Sequence, residues 1–177
     1  MSLTDRELWA LIHGLGLGAL FLLAFTGGFL GLWSLRERFI TPEGIAERIP
    51  RLAIWTSVMG VVAWLTVITG TWIVYPWYRA TPPEGTTDFT TFPRSLLLSL
   101  PSTAEWHRFG MEWKEHIAWI APFLATVVAF AVIYYGAQLT RRHDIRSALL
   151  VFFTLAFAAA GIAGLFGALI TKAAPVS

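Results

Sequence analysis

Four apolar stretches, separated by polar segments of very different length, organise this chain. They run from Leu8 to Trp33, Leu52 to Tyr75, Ile117 to Gly136 and Ala148 to Ile170, and none contains Asp, Glu, Lys or Arg. Each reaches the roughly 20 residues needed to cross about 30 Å of hydrocarbon. A bilayer core offers no partner to a bare backbone amide, so the spanning form predicted for each stretch is a helix. Trp and Tyr gather near the ends of the runs, at Trp9, Trp33, Tyr75, Trp77, Tyr78, Trp113, Trp119, Tyr134 and Tyr135, as interfacial belts require. Trp55 and Trp64 lie deeper. The pattern predicts an all-α, four-helix membrane bundle of up-down topology, a single domain over residues 1–177 with spans at 8–33, 52–75, 117–136 and 148–170.

The connections carry the orientation. Arg36, Arg38, Arg48 and Arg51 fall between the first two runs, and Arg141, Arg142 and Arg146 between the last two. These short loops hold more than half of the chain's 13 Lys and Arg. The remaining cations, Arg6, Arg79, Arg94, Arg108, Lys114 and Lys172, are spread over much longer segments. The positive-inside rule places the short loops in the cytoplasm. Both termini and the long connection 76–115 are then periplasmic, in a multi-pass inner-membrane protein. That connection opens turn-rich (PWYRATPPEGTTDFTTFPR), then SLLLSL suits a membrane surface. Ser102 to Glu105 reads as a capping box opening a helix into the third span, with Gly110 as a break or bend. Its apolar content (Trp77, Tyr78, Phe89, Phe92, Leu96 to Leu98) predicts packing over the bundle end or against a partner.

Composition agrees with lipid. The chain is 56% apolar and 14% charged, against about 25% charged in a soluble domain. A net charge of +2 gives no nucleic-acid surface. With no cysteine, disulfides, thiolate zinc, iron–sulfur clusters and covalent haem attachment are excluded. The first nine residues hold two acids and one Arg instead of a basic leader, so the first run reads as a retained span. Small residues at fourfold spacing, Ala156, Ala160, Gly164 and Ala168 in the fourth run and Ala10, Gly14 and Gly18 in the first, predict close helix approach.

Candidate chemistry rests on His13 and His116. His13 is a titratable side chain about a turn inside an apolar span, which marks a functional site by default. His116 opens the third run. First and third spans start on the same side, so the two imidazoles share a membrane face, His13 about 5–10 Å deeper. One imidazole from each of two helices is the ligand set of a bis-His haem b. Gly16, three residues on from His13, leaves room for a macrocycle, and Arg6, Arg79, Arg108 and Lys114 stand where propionates would point. The plain alternatives are an interfacial His116 and a His13 that hydrogen-bonds a neighbouring helix. His107, nine residues before His116, projects from the opposite face of a continuous helix. Met111 is the reserve ligand, His143 a solvated side chain, Glu112 a helix-start acid, and Pro122 a kink. No phosphate loop, nucleophile triad or metalloprotease motif is present.

These readings predict a b-type cytochrome-like subunit that carries electrons near the periplasmic face of a respiratory or photosynthetic complex. Its cofactors are haem b, ligated by His13 and His116, and a quinone. Its partners are membrane lipid, larger membrane subunits, and quinol or a periplasmic cytochrome c. A cofactor-free accessory subunit is the alternative.

Overall fold

The computed structural model describes residues 3–36 and 40–175, so Arg38 of the first basic loop lies outside them. The described chain is helical throughout its regular parts: α1 Asp5–Ser34, α2 Pro42–Tyr78, α3 Pro93–Ser99, α4 Pro101–Thr140 and α5 His143–Ala173. All but α3 are long and apolar enough to cross a membrane. The protein is therefore an all-helical, multi-pass membrane protein.

Each helix outruns its apolar stretch. Thr4 accepts the Glu7 N–H at 3.2 Å while the Glu7 carboxylate accepts the Thr4 N–H at 2.8 Å. This reciprocal capping box starts α1 in the polar segment MSLTDRELW. α2 takes in Arg48 and Arg51, which the hydropathy pattern leaves in a loop. Thr41 accepts the Gly44 N–H at 3.2 Å, and Glu47 pairs with Arg51 one turn on at 2.6 Å, so the polar stretch is helical in its own right. The capping box expected from Ser102 to Glu105 is not formed. Pro101 opens α4 in the first turn, where its missing N–H costs nothing, and the Thr103 hydroxyl donates back to the Leu97 carbonyl at 2.8 Å. Gly110 does not break the helix; the chain passes it in a widened π turn, Trp106–Met111. Two more widened turns occur, Ile12–Gly16 in α1 and Gly70–Val74 in α2. The regular part of α4 ends at Tyr135, where Gly136 takes φ +47° and starts a 3₁₀ turn to Thr140.

The residues form two compact units. One comprises Ala19–Trp64 and Ile120–Ala160. Here Phe25 stacks on Phe153 and Phe157 at 5.4 and 4.1 Å. Gly27 and Gly28 lie so close under Trp55 and Phe153 that a Cβ would meet those rings at 2.8 and 2.7 Å. These and Gly31, not Gly14 and Gly18, are the close-approach glycines of α1; the latter two face open space. The α5 stripe is also corrected. Ala156 is buried, but Gly164 and Ala168 are exposed, and the buried line runs through Phe153, Ala156, Ala159 and Ala163. Every fourth residue precesses about 40° per step on a 3.6-residue helix, so a strict fourfold stripe turns off the packed face. Trp64 donates its indole N–H to the Thr126 hydroxyl at 3.0 Å. Arg146 is buried, donating to the carbonyls of Leu35, Leu139 and Thr140 at 2.7, 3.0 and 3.1 Å and, at 2.7 Å, to Nδ1 of His143, which is exposed as expected.

The other unit comprises Met1–Gly18, Leu65–Trp119 and Gly161–Ser177. Phe166 of α5 contacts the rings of Trp106, Phe109 and Trp113 of α4. Leu97 of α3 is fully buried in an apolar cluster with Tyr78, Met111, Ile170 and Ala174. The second half of the long connection is thus packed structure, as its apolar content predicts.

Candidate functional site

The chemistry-bearing side chains collect in this second unit, around its three widened turns. A π turn inserts an extra residue, re-aims the side chains beyond it, and frequently marks functional sites. His13 lies in the first of them. Its Nδ1 stands 3.0 Å from the Thr69 hydroxyl oxygen. That hydroxyl has one hydrogen, which back-bonds to its own helix at the Leu65 carbonyl, 2.8 Å, or the Thr66 carbonyl, 3.2 Å. Thr69 is left to accept, so His13 donates from Nδ1 and the neutral ring carries its lone pair on Nε2. The ring lies on Gly70, where a Cβ would meet Cε1 at 2.9 Å. Gly16 is exposed, with only its own helix's Leu11 carbonyl near its open side, at 3.9 Å.

On α4 of the same unit, Lys114 is half-buried. Its ammonium donates to the Ala163 carbonyl at 3.3 Å and occupies the space beside Gly167, where a Cβ would lie 2.9 Å from Nζ. His116, two residues on, projects about 200° further round the helix. It is 67% exposed, donates from Nδ1 to the Glu112 carbonyl at 3.0 Å, and has the Glu112 carboxylate at 3.4 Å. With Nδ1 donating, Nε2 is the nitrogen left open to solvent. Arg79 covers the Tyr75 ring at 5.3 Å, and Arg108 pairs with Glu105 at 3.0 Å on the surface. Met111 is part of the apolar cluster. Among the described residues, no group of three or more His, Asp or Glu is arranged to hold a metal ion.

A second constellation is invisible to the hydropathy pattern. The Tyr78 hydroxyl and His107 Nδ1 are 2.7 Å apart. Arg94, at the start of α3, has its Nε buried without a hydrogen-bond partner among the described residues. Sequence reading takes Tyr75 and Tyr78 as interfacial belt residues and gives Arg94 no role. The available signal is the threefold spacing of Tyr75 and Tyr78, which puts both hydroxyls on one helix face. The widened turn Trp106–Met111 hides the rest, because a regular helical wheel misplaces His107 relative to Glu115.

No protein-family model, curated protein or solved structure matches the chain.

Proposed function

We propose that the chain is a b-type cytochrome-like subunit that carries electrons in a respiratory or photosynthetic membrane complex. In this reading the helices form an up-down bundle in an inner membrane, with the Arg-rich connections cytoplasmic and both termini and the long connection periplasmic. The Arg distribution supports that orientation.

The observation that carries the functional reading is the state of the two imidazoles. Both donate Nδ1–H to an oxygen, and this leaves Nε2 as the ligand atom. A hydrogen bond on the far nitrogen is how ligating histidines are oriented and made more basic. His13 and His116 would hold the haem iron, and Lys114, a half-buried cation of the same unit, would suit a propionate. Haem b supplies a one-electron couple when held there. Quinol is the partner that suits the second constellation, because Tyr78–His107 is a hydroxyl–base pair able to take a proton from a two-proton donor.

The accessory-subunit reading also has an observation behind it. The His13–Thr69 bond and the close Gly70 contact tie α1 to α2 with no cofactor at all. Purification with native partners separates the two. The electron-transfer reading expects a reduced-minus-oxidised b-type band. It also expects haem loss or a five-coordinate spectrum in His13→Ala and His116→Ala, at unchanged helicity. A colourless, fully helical protein supports the accessory reading. His116→Ala is the sharper test, because His116 is exposed and stands about 200° round α4 from Lys114. An unchanged spectrum in that variant alone means that His116 is not a ligand and that Met111, His107 or a side chain of a partner takes its place.

A further inference from the structure

A groove of about 340 Å³ opens on the unit that holds Ala19–Trp64, between α1 and α2. That volume lies at the small end of ligand clefts, about 300–1,000 Å³. Its apolar floor exists because Gly27 and Gly31 have no side chain; a Cβ on either would strike Trp55 at 2.8 Å or Leu52 at 2.9 Å. Leu30 and Trp33 continue the apolar wall. The lining then changes character. Ser34, Arg48 and Arg51 close one end, and the guanidinium of Arg36 lies over the Trp33 ring at 4.8 Å. Arg51 is engaged by Glu47 on the surface. Arg48 makes no ion pair among the described residues and is exposed.

An apolar slot ending in guanidinium groups, on two helices of membrane-spanning length, matches one amphiphile in shape and charge. We propose that this groove binds an anionic phospholipid, one acyl chain lying along Gly27, Gly31 and Trp55 and the headgroup phosphate meeting Arg48 and Arg51. The chain supplies the affinity of buried methylenes. The planar guanidinium donors match phosphate oxygens two at a time. A juxtamembrane cation contributes to anionic-lipid binding by about fivefold. A zwitterionic phospholipid fills the slot equally well but brings a cationic group to the arginines, so the site discriminates by headgroup charge. The proposal is independent of any haem, because none of these residues belongs to the unit that holds His13.

The test is native mass spectrometry of the full-length protein, titrated in detergent with phosphatidylglycerol or with phosphatidylcholine of the same chains. The wild type is expected to retain phosphatidylglycerol preferentially. Arg48→Gln with Arg51→Gln should lower that preference at least tenfold, and Arg142→Gln, a cation outside the groove, should leave it unchanged. Leu30→Trp fills the slot while keeping both arginines, and should weaken retention of both lipids. Circular dichroism confirms that each variant is folded. Equal retention of the two lipids by the wild type overturns the proposal. So does wild-type preference in the double variant, or an equal loss in Arg142→Gln, which would mean that general surface charge is responsible.

Discussion

Arg146 shows how differently one side chain reads at sequence level and in place. In the sequence it is one of three arginines in a short loop, useful only for its sign. In the structure its guanidinium supplies the donors that the carbonyls of Leu35, Leu139 and Thr140 lack at their helix ends. Removing it strands three acceptors at about 1–3 kcal/mol for each that stays dry. Arg146→Met is therefore expected to lower stability in detergent by several kcal/mol. Arg146→Lys should recover only part of that, because an ammonium on a flexible stem does not reproduce the fork. Thermal unfolding followed by circular dichroism measures both. A loss below about 0.5 kcal/mol for Arg146→Met, the range of ordinary surface substitutions, would show that water caps these carbonyls. His13 makes the complementary point. That a polar side chain in an apolar run needs a partner is legible, since lipid offers none. That the partner is Thr69 is not, because the contact joins residues far apart in sequence through a turn with an inserted residue.

At the scale of elements, the four long helices follow from their apolar runs, but their ends do not. Capping and i,i+4 pairing carry α1 and α2 into polar sequence, where hydropathy is silent. The Thr4–Glu7 box is nonetheless visible as a motif. The widened turns have no sequence signature that periodicity can detect, and they decide where His107 and Glu115 project. α3 is the element on which local pattern and tertiary packing agree. Pro93 opens it and the fully buried Leu97 anchors it against Tyr78, Met111 and Ile170. Leu97→Ala should cost about 2–5 kcal/mol and release the connection. In hydrogen exchange, the Leu96 amide, bonded to the Phe92 carbonyl at 2.9 Å, and the amides after it in α3 should be slow. Amides from Thr81 to Thr91 should exchange fast. Fast exchange through α3 in the intact protein would mean that this segment is docked only transiently.

For the whole molecule, length and charge combine into one statement about the bilayer. α1 and α2, at 30 and 37 residues, are about 45 and 55 Å long at 1.5 Å per residue. Both exceed the roughly 30 Å of hydrocarbon, so their polar ends reach the headgroups at any ordinary tilt. The Arg48–Arg51 turn of α2 is then interfacial helix rather than loop. The positive-inside argument still applies, since it counts cations close to the span ends. It requires Glu43, at the start of α2, and Thr87, in the irregular part of the long connection, to lie on opposite sides. Both residues are exposed, which makes single cysteines there readable in a chain with none of its own. Thr140 would be a poor reporter, because it is buried. An impermeant maleimide added to spheroplasts should label Thr87→Cys and leave Glu43→Cys unlabelled until the membrane is permeabilised. The reverse pattern would invert the protein and put the Tyr78–His107 pair on the cytoplasmic face. Labelling of both from outside would mean that α2 does not span, and that its apolar run is buried against protein instead of lipid.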